Sequence, residues 1–361
     1  MKILYAIQGT GNGHITCARE VLPLLMKRAE VDILVSGTQV DVDLPYPVKY
    51  RLNGMSFIFG KKGGIDYLET YKKSRIKQLF REIKALPVQE YDLVISDFEP
   101  VSAWACYLRN RTCIGFSHQA AVVSKKAPRP AKSDLLGKAV LKHYAPVTHR
   151  YGFHYLPYDK DIYTPIIRSE IRQLDPSEDG HYTVYLPSYG DKKILKMLSC
   201  FPDRKWQVFS KHSKEAYIAG SVSFQPVDHE RFIRSLEGCN GIICNAGFQT
   251  PAEALFLHKK LIVVPMKGQY EQQCNAEALK LLGIPVLKNF KRKHHHRIQE
   301  WLEADIHPGM DFPDETEIIL DDILDRHCSR KKEQAPPEHS VDTASGFRSL
   351  LLKKIFYQMG S

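Results

Sequence analysis

The sequence lacks the long apolar runs and the paired cysteines that would indicate a membrane span or a disulfide framework. No stretch approaches the ~20 apolar residues that a membrane-spanning helix requires. The first apolar run, of about six residues, meets glycines at once and does not resemble a signal peptide. None of the eight cysteines forms a Cys-x-x-Cys pair, which indicates free thiols in a reducing compartment. We therefore expect a cytoplasmic protein.

A glycine-rich turn near the amino terminus lacks two features of a dinucleotide-binding fingerprint. An apolar strand candidate, residues 2–8, leads into Gly-Thr-Gly-Asn-Gly-His at residues 9–14. His14 stands where the last glycine of Gly-x-Gly-x-x-Gly is expected, and the next strand candidate ends in Ser36-Gly37 without an acidic residue. A nicotinamide-dependent dehydrogenase is therefore disfavoured. The glycines still let a ligand approach the backbone closely.

The chain has the composition of a globular enzyme and an excess of positive charge. Its 361 residues exceed one ordinary core, so we expect two domains. The formal net charge is +10, and cations with interleaved apolar residues concentrate between residues 117 and 150. This segment suits an anionic membrane surface, and a solvated helix face is the alternative. The sequence contains no recognised nucleic-acid module, so we expect no nucleic-acid partner.

Alternating strand and helix candidates predict an α/β fold in two halves, each with a parallel sheet covered on both faces. In the first half the strands are 2–8, 31–37, 48–52, 91–97, 112–117 and 153–157, with helices at 14–29, 65–86, 100–109 and 133–145. In the second half the strands are 181–187, 205–210, 221–225, 241–244, 261–265 and 284–287, with helices at 191–200, 229–237, 249–258 and 271–282. The polar stretch 168–180 is the predicted linker. Residues 329–361 form a predicted basic tail, either flexible or packed back on the first half.

The most informative segment, residues 242–276, contains two consecutive strand-to-helix turns. The first strand candidate ends in Asn245-Ala246-Gly247, and the helix after it carries Thr250 and Glu253. The second ends in a Lys-Gly-Gln turn before a helix that opens with Glu271-Gln272. Ligands of parallel sheets bind at strand carboxyl ends, where helix N-termini offer free N–H groups to a diphosphate. The pattern predicts a nucleotide diphosphate site, with Glu253 on a ribose hydroxyl.

This segment resembles the donor-sugar motif of GT-B glycosyltransferases, in particular that of the MurG-like group. The shared elements are a small-residue turn, Thr-x-x-Glu, an apolar strand, an acidic-Gln pair and Asn-Ala, here Gly247, Thr250 to Glu253, 261–265, Glu271-Gln272 and Asn275-Ala276. The resemblance implies the GT-B fold, in which two Rossmann-like domains face each other across a cleft. It implies that residues 1–167 bind the acceptor and that residues 181–328 bind a nucleotide sugar, with UDP as the expected carrier.

The glycine-rich turn also resembles the first loop of the MurG-like group, which ends in a histidine at the mouth of the helix. The resemblance implies that His14 lies at the cleft, as the general base or as a contact for the donor phosphates or the acceptor. Asp97 ends the strand candidate 91–97 and is the second candidate for the base, or it orients the base. Its alternative role is a helix N-cap. Glu99 and His118, near strand ends, are candidate acceptor contacts.

The remaining predicted contacts lie on the donor side of the cleft. Some have a plainer alternative: Thr250 as a helix cap, Glu253 as a carboxylate that favours the first helical turn, and Gln272 as a surface side chain. If Glu253 binds ribose, we expect Glu253→Ala to weaken donor binding with little loss of stability. The candidate donor-binding residues are Gly11, Gly13, Ser188, Gly190, Gly247, Thr250, Glu253, Gln269, Glu271 and Gln272.

Together these patterns predict a glycosyltransferase that moves a hexosyl or N-acetylhexosaminyl group to an acceptor, with inversion implied by the MurG-like resemblance. The acceptor is a glycan or a lipid-linked molecule, and the latter would hold a cytoplasmic enzyme on the inner face of the membrane. Helix N-termini stabilise the leaving diphosphate, so we expect no metal and no cofactor. The alternatives are an isomerase resembling UDP-GlcNAc 2-epimerase and a catalytically silent nucleotide-sugar-binding subunit.

Overall fold

Two β-sheets, one in each half of the chain, organise the computed structural model. The structure describes residues 1–10, 12–39, 44–55, 76–131, 134–305 and 307–328. The predictions that lie wholly or partly outside these residues include Gly11, the beginning of the helix predicted at 65–86, the first residue of the helix predicted at 133–145, and the tail 329–361. The α/β class predicted from the alternation of strands and helices is confirmed.

Among the described residues, the first sheet has seven parallel strands. They are β1 (Lys2–Thr10), β2 (Glu30–Gln39), β3 (Tyr50–Leu52), β4 (Leu93–Asp97), β5 (Cys113–Ser117), β6 (His149–Phe153) and β7 (Ile162–Tyr163). Their order is β3-β2-β1-β4-β5-β6-β7, which places β1 beside β4. The described residues of this half contain the helices α1 (Asn12–Met26), α2 (Ile76–Ala85), α3 (Pro100–Leu108), α4 (His118–Val122) and α5 (Leu135–His143), and Val88–Glu90 form a 3₁₀ turn.

In the part of the chain that the structure describes, the second sheet has six strands. They are β8 (His181–Tyr185), β9 (Lys205–Ser210), β10 (Tyr217–Ala219), β11 (Val222–Pro226), β12 (Cys239–Asn245) and β13 (Lys260–Val264). Their order is β10-β11-β9-β8-β12-β13, and β10 pairs antiparallel with β11 whereas the other neighbours are parallel. The helices that follow the first half are α6 (Ser169–Arg172), α7 (Asp191–Leu198), α8 (His229–Gly238), α9 (Gln249–Phe256), α10 (Tyr270–Leu281), α11 (His295–Glu303) and α12 (Thr316–Cys328).

The side chains of β1 divide between two cores, because successive residues of a strand point to opposite faces. Ile3, Tyr5 and Ile7 pack with residues of α1. Leu4 and Ala6 pack with residues of α3. All five are 0% exposed, which is the pattern of a parallel sheet covered on both faces. Polar side chains can therefore meet a ligand only at the strand ends.

Four strands differ from the sequence predictions. One is β7, a two-residue strand at the edge of the first sheet that the sequence analysis does not predict. β6 ends at Phe153, where the predicted strand 153–157 was expected to begin, because the chain leaves the sheet there. The pattern does not reveal β10, a three-residue edge strand held by a hairpin. The strand predicted at 284–287 is reduced to an isolated bridge between Val263 and Val286.

The predicted linker at 168–180 begins inside a packed crossing between the two halves. Ile166 belongs to the core around α1, whereas the next residue, Ile167, belongs to the core of the second half. Arg168 is 7% exposed, and α6 follows it directly. Apolar contacts therefore fix the chain at this crossing, and the domain boundaries themselves stay predictions.

The chain crosses back at its described carboxyl end. Phe312 still packs in the core of the second half, but α12 packs on the first sheet, although it lies within the predicted second domain 181–328. Arg28, just after α1, donates hydrogen bonds to Glu317 and Asp321 of α12. Four apolar residues of α12 join the core around α1: Ile319, Leu320, Ile323 and Leu324.

Candidate active site

The first candidate catalytic pair is His14 and Asp97, which two neighbouring strands bring together. Asp97 is the last residue of β4 and lies in register with Ile7 of β1. α1 begins at Asn12, shortly after β1, and places His14 in its first turn. The His14 Nδ1 atom lies 2.8 Å from Asp97 Oδ1. In this arrangement Nδ1–H donates to the carboxylate, and Nε2 is the nitrogen that can take a proton from a substrate.

The surroundings of this pair make His14 a stronger base than a free imidazole. Burial alone lowers the pKa of His14, but the charge of Asp97 and its hydrogen bond raise the pKa, and so does the charge of Glu271. The net result is a pKa raised above the ordinary value of 6.5. The His14 side chain is 17% exposed and that of Asp97 only 3%. The ring can thus meet a substrate, while the carboxylate orients the ring and stabilises the imidazolium that forms on proton transfer.

His118 connects the two halves of the chain. It is the first residue of α4 and is buried. Its Nδ1 lies 2.7 Å from the Phe153 carbonyl oxygen, and its Nε2 lies 2.8 Å from Asn275 Oδ1 of α10. Its ring stacks on Phe248, with the centroids 3.8 Å apart and the ring planes at 6°. The structure therefore engages the predicted acceptor contact His118 with two residues of the second half.

Glu271 reaches the same region from the second half. It lies in the first turn of α10, where a carboxylate suits the positive end of the helix dipole. Gln119 of α4 donates a hydrogen bond from Nε2 to Glu271 Oε2 over 3.1 Å. The charge of Glu271 raises the pKa of His14. Burial lowers the pKa of His118, and the charge of Glu271 opposes that lowering. Glu271 thus connects α10 to α4 by a hydrogen bond, and its charge raises the pKa of the predicted base His14.

Glu253, the predicted ribose contact, is held in a buried ion pair with Arg168. Arg168 donates from Nε to Glu253 Oε1 over 2.5 Å and from Nη2 to Oε2 over 2.7 Å. Gln249 donates a further hydrogen bond to Oε1 over 2.9 Å. The Glu253 side chain is 1% exposed. The planar guanidinium of Arg168 donates to both carboxylate oxygens of Glu253. A ribose hydroxyl could therefore use only the lone pairs that Arg168 and Gln249 do not already occupy.

Loops at the carboxyl ends of β8, β12 and β13 gather the other predicted donor contacts at one edge of the second sheet. Ser188 follows β8, and its Oγ lies 3.4 Å from Asn245 Oδ1 at the end of β12. Thr250 lies in the first turn of α9. Gln269 is the N-cap residue of α10, and its side-chain Oε1 has no partner among the described residues. These are the positions at which parallel sheets bind ligands.

Three of the predicted glycines leave open space where a side chain would begin. A Cβ added at Gly13, Gly190 or Gly247 would meet no described heavy atom within 4 Å beyond its own chain neighbours and helix backbone. Packing inside the protein therefore does not require glycine at these positions, whereas close approach of a ligand to the backbone would. Gly247 also accepts a hydrogen bond at its carbonyl oxygen from the Tyr155 hydroxyl over 3.1 Å.

Two predicted contacts instead hold nearby backbone. Glu99 is 0% exposed and is the N-cap of α3, where it accepts hydrogen bonds from the N–H groups of Val101 and Ser102 over 2.7 and 2.6 Å. Glu99, not Asp97, therefore takes the N-cap role that the sequence left open for Asp97. Gln272 is 8% exposed, and its Oε1 accepts from the Met266 N–H over 2.9 Å. The structure does not bring Glu99 to the cleft, and Gln272 fixes the loop before α10.

Sequence reasoning does not single out three residues that lie at this site. Gln119 follows His118 directly, so its place after a strand end is a signal that could have indicated it. Phe248 lies inside the turn between Gly247 and Thr250, and an aromatic residue there could have indicated a stacking partner. Arg168 lies 85 residues from Glu253 along the chain, and no local pattern indicates that they pair.

Comparison with protein families identifies the family of this chain. The family model described as glycosyl transferase family 1 matches residues 1–304. The matched range contains every residue of the candidate site discussed above. No curated protein matches the chain by sequence.

Solved structures resemble the protein at low sequence identity. MurG from Acinetobacter baumannii is 14% identical with a TM-score of 0.53, and the match covers 90% of this chain and 99% of that one. UGT89C1 from Arabidopsis thaliana, in complex with quercetin, is 10% identical with a TM-score of 0.55, covering 98% and 99%. A UDP-N-acetylglucosamine 2-epimerase is 14% identical with a TM-score of 0.53, covering 94% and 99%. These likenesses show the fold alone, and they confirm the predicted GT-B architecture.

Proposed function

Because the chain belongs to glycosyl transferase family 1, we propose that it transfers a sugar from a nucleotide diphosphate sugar to a hydroxyl group of an acceptor. The observation that carries this proposal is the hydrogen bond of 2.8 Å between His14 and Asp97. This pair lies near Glu271 of the donor motif, whose charge acts on the pKa of His14. A donor bound to that motif would therefore lie within reach of the base.

The proposed donor is a UDP-sugar, and its sugar is a hexosyl or N-acetylhexosaminyl group. Support comes from the turns that precede α9 and α10, because both helices begin at strand ends and direct their N-termini to the same sheet edge. The open backbone at Gly247 suits the close approach of a phosphate. We expect neither a metal nor a cofactor, and activity that is unchanged by a chelator would support this.

The proposed reaction is a single displacement with inversion at the anomeric carbon. The oxygen of the acceptor hydroxyl attacks that carbon, and His14 Nε2 takes the hydroxyl proton as the new bond forms. The bond between the anomeric carbon and the diphosphate oxygen breaks, and the nucleoside diphosphate leaves with the electron pair. N–H groups at the starts of α9 and α10 would stabilise its charge.

Calorimetry with a panel of nucleoside diphosphates tests the donor site directly. We expect the purified protein to bind at least one of them, with UDP the tightest, because the donor motif resembles that of the MurG-like group. If it binds none, the proposed function is wrong. The base of the tightest ligand also identifies the donor class, whatever the acceptor is.

The isomerase alternative has one observation in its favour, the likeness to a UDP-N-acetylglucosamine 2-epimerase. That likeness concerns the fold alone, so an activity assay must distinguish an isomerase from a transferase. Incubation with UDP-N-acetylglucosamine and no acceptor would give an epimerised product only if the protein is an isomerase. Tight UDP binding without turnover in an extract rich in acceptors would instead favour a catalytically silent subunit.

We propose that the first half binds the acceptor, and a lipid-linked acceptor at an anionic membrane surface is the class to test first. The segment 125–150 presents exposed cations: Lys125, Lys126, Lys138, Lys142 and Arg150. Its apolar side chains Ala139 and Val140 are only 7% and 6% exposed, so attachment would rest on charge rather than on insertion. No helix among the described residues is long and apolar enough to cross a membrane.

A further inference from the structure

Gln119 makes an incomplete contact across the cleft. Its side chain is 7% exposed, and its Nε2 donates to Glu271 Oε2 over 3.1 Å. Its Oε1 is buried and has no hydrogen-bond partner among the described residues. A buried carbonyl oxygen without a partner carries a free-energy penalty that a ligand hydroxyl would remove. The Gln119 amide therefore has one hydrogen bond that a ligand could replace, and its Oε1 can accept a further hydrogen bond.

The fold places this amide beside the proposed base. Gln119 lies in α4, which follows β5, and β5 is the direct neighbour of β4, whose last residue is Asp97. Glu271, which accepts the hydrogen bond of Gln119, acts on the pKa of His14. The hydrogen bond of Gln119 therefore reaches the carboxylate whose charge raises the pKa of the proposed base.

Two other polar side chains of the donor motif are engaged elsewhere. Gln272 Oε1 accepts from the Met266 N–H, and the Glu253 carboxylate is held by Arg168. The contact between Gln119 and Glu271 is a single hydrogen bond, so a ligand can exchange it at little cost. Sugar hydroxyls are suited to this exchange because each can donate and accept.

We propose that Gln119 is a specificity-determining residue, which together with Glu271 binds two adjacent hydroxyl groups of the donor sugar. One hydroxyl donates to the Glu271 carboxylate, and its neighbour donates to Gln119 Oε1. The ligand class is a neutral sugar, because a sugar with its own carboxylate at this position would be repelled by Glu271. This inference rests on the proposed function and adds a residue from the acceptor half to the donor site.

Binding measurements with matched ligands test the inference without knowledge of the acceptor. The probes are UDP, UDP-glucose, UDP-galactose, UDP-glucuronic acid and the single-deoxy analogues of the tightest neutral donor. The variants are Gln119→Met, which keeps the length but not the hydrogen bonds, and Gln119→Glu. Gln173→Met, at an exposed glutamine just after α6, is the control. Thermal unfolding verifies that each variant is folded.

We expect Gln119→Met to lower the affinity for the neutral donor by about ten- to a hundredfold and to leave the affinity for UDP unchanged. One deoxy analogue should bind wild type and Gln119→Met equally, because it lacks the hydroxyl that the amide contacts. Gln119→Glu should regain affinity for the donor as the pH falls, since protonation relieves the repulsion between the two carboxylates. Because this variant keeps a polar side chain of similar size, it tests the inference even if Gln119→Met does not fold.

Three results would overturn the inference. They are equal losses for UDP and the neutral donor, no loss for either, and tighter binding of UDP-glucuronic acid than of both neutral donors. If wild type binds UDP but neither neutral donor, the inference is wrong while the nucleotide site stands. If wild type binds no nucleoside diphosphate, the proposed function itself fails.

Discussion

At the residue scale, two opposing influences on the His14 imidazole decide the pH at which it can act as a base. Burial lowers its pKa, whereas the charge and the hydrogen bond of Asp97, together with the charge of Glu271, raise it above 6.5. A general base must be unprotonated before it takes a proton. The rate should therefore increase as the pH rises through the raised pKa of His14, and it should level off above it.

Asp97→Asn tests this balance. The substitution removes the largest influence that raises the pKa of His14, so the inflection of kcat/KM against pH should move to lower pH. The maximal rate should fall by about a hundredfold or more, because the imidazolium loses its counter-charge. Asp203→Asn, at an exposed aspartate after α7, is the matched control and should leave both quantities unchanged. An unchanged inflection in Asp97→Asn would contradict the proposed role of Asp97.

A second prediction concerns the stability that Glu253 provides. Sequence alone suggests that Glu253→Ala costs little stability, but the structure pairs the carboxylate with Arg168, which is 7% exposed. Removing one member of a buried ion pair costs about 3–5 kcal/mol, since the other charge stays buried. We expect a loss of this size in the free energy of unfolding, measured by urea denaturation.

The double variant Arg168→Met with Glu253→Leu is the control for that measurement. It removes both charges and should recover most of the lost stability, because apolar residues of similar size replace the pair. If the double variant is folded, its affinity for UDP and for 2′-deoxy-UDP isolates any contact between Glu253 and ribose. A Glu253→Ala protein as stable as wild type would show that the ion pair contributes nothing.

Local sequence patterns identify His14 and Asp97 because each lies at a strand end or helix start that the pattern itself marks. They cannot tell in which direction a side chain at such a position points. Glu99 illustrates this, since it stands two residues after a strand yet turns inward to cap α3. Gln119 and Arg168 depend on contacts with residues far along the chain, which no local pattern contains.

At the element scale, the contact between α5 and α10 joins the predicted acceptor half to the helix that carries Glu271. A Cβ at Gly137 of α5 would collide with the Cβ of Tyr270 on α10. Tyr270 and Cys274 of α10 form a small core with Val122, and Leu141 of α5 packs against it. The helices can therefore lie this close only because residue 137 has no side chain.

Gly137→Val should separate these two helices. We expect the free energy of unfolding to fall by about 1–3 kcal/mol, the usual cost of overpacking, and donor affinity to fall as well, because Glu271 moves with α10. Lys138→Val, at the exposed neighbouring position, is the control for the effect of valine on the helix itself. If the two substitutions lower stability and donor affinity equally, the close contact between α5 and α10 contributes to neither.

The sequence predicts most strands closely because a parallel strand that is buried on both faces is a continuous apolar run. β4, with residues 93–97 all buried, is such a case. β10 is missed because a three-residue edge strand carries no such run. α12 is also missed, although its apolar residues Ile319, Leu320, Ile323 and Leu324 recur at helical spacing. Its partners, the residues of α1 and the first sheet, lie far away along the chain, and no local pattern contains them.

At the scale of the whole molecule, the net charge of +10 favours binding to anionic surfaces. If the exposed cations of the segment 125–150 face a membrane, each contributes about 1 kcal/mol near an anionic surface. The protein should sediment with anionic vesicles at low salt and be released at high salt, because salt screens the attraction. Lys125→Glu with Lys126→Glu should weaken sedimentation, whereas Lys192→Glu with Lys193→Glu in α7 should not. A protein that ignores anionic vesicles at low salt would favour a soluble acceptor.

The two crossings seen in the described residues would define a hinge axis. Ile166 and Ile167, adjacent in sequence, belong to different cores, and the second crossing lies between Phe312 and the start of α12 at Thr316. Two bodies joined at two separate points keep one easy degree of freedom, which is rotation about the line through those points. We therefore expect the cleft to open in one swing, in which the contacts of His118 and Gln119 with α10 break together. A single proteolytic cut at either crossing would leave the two bodies still joined by the other.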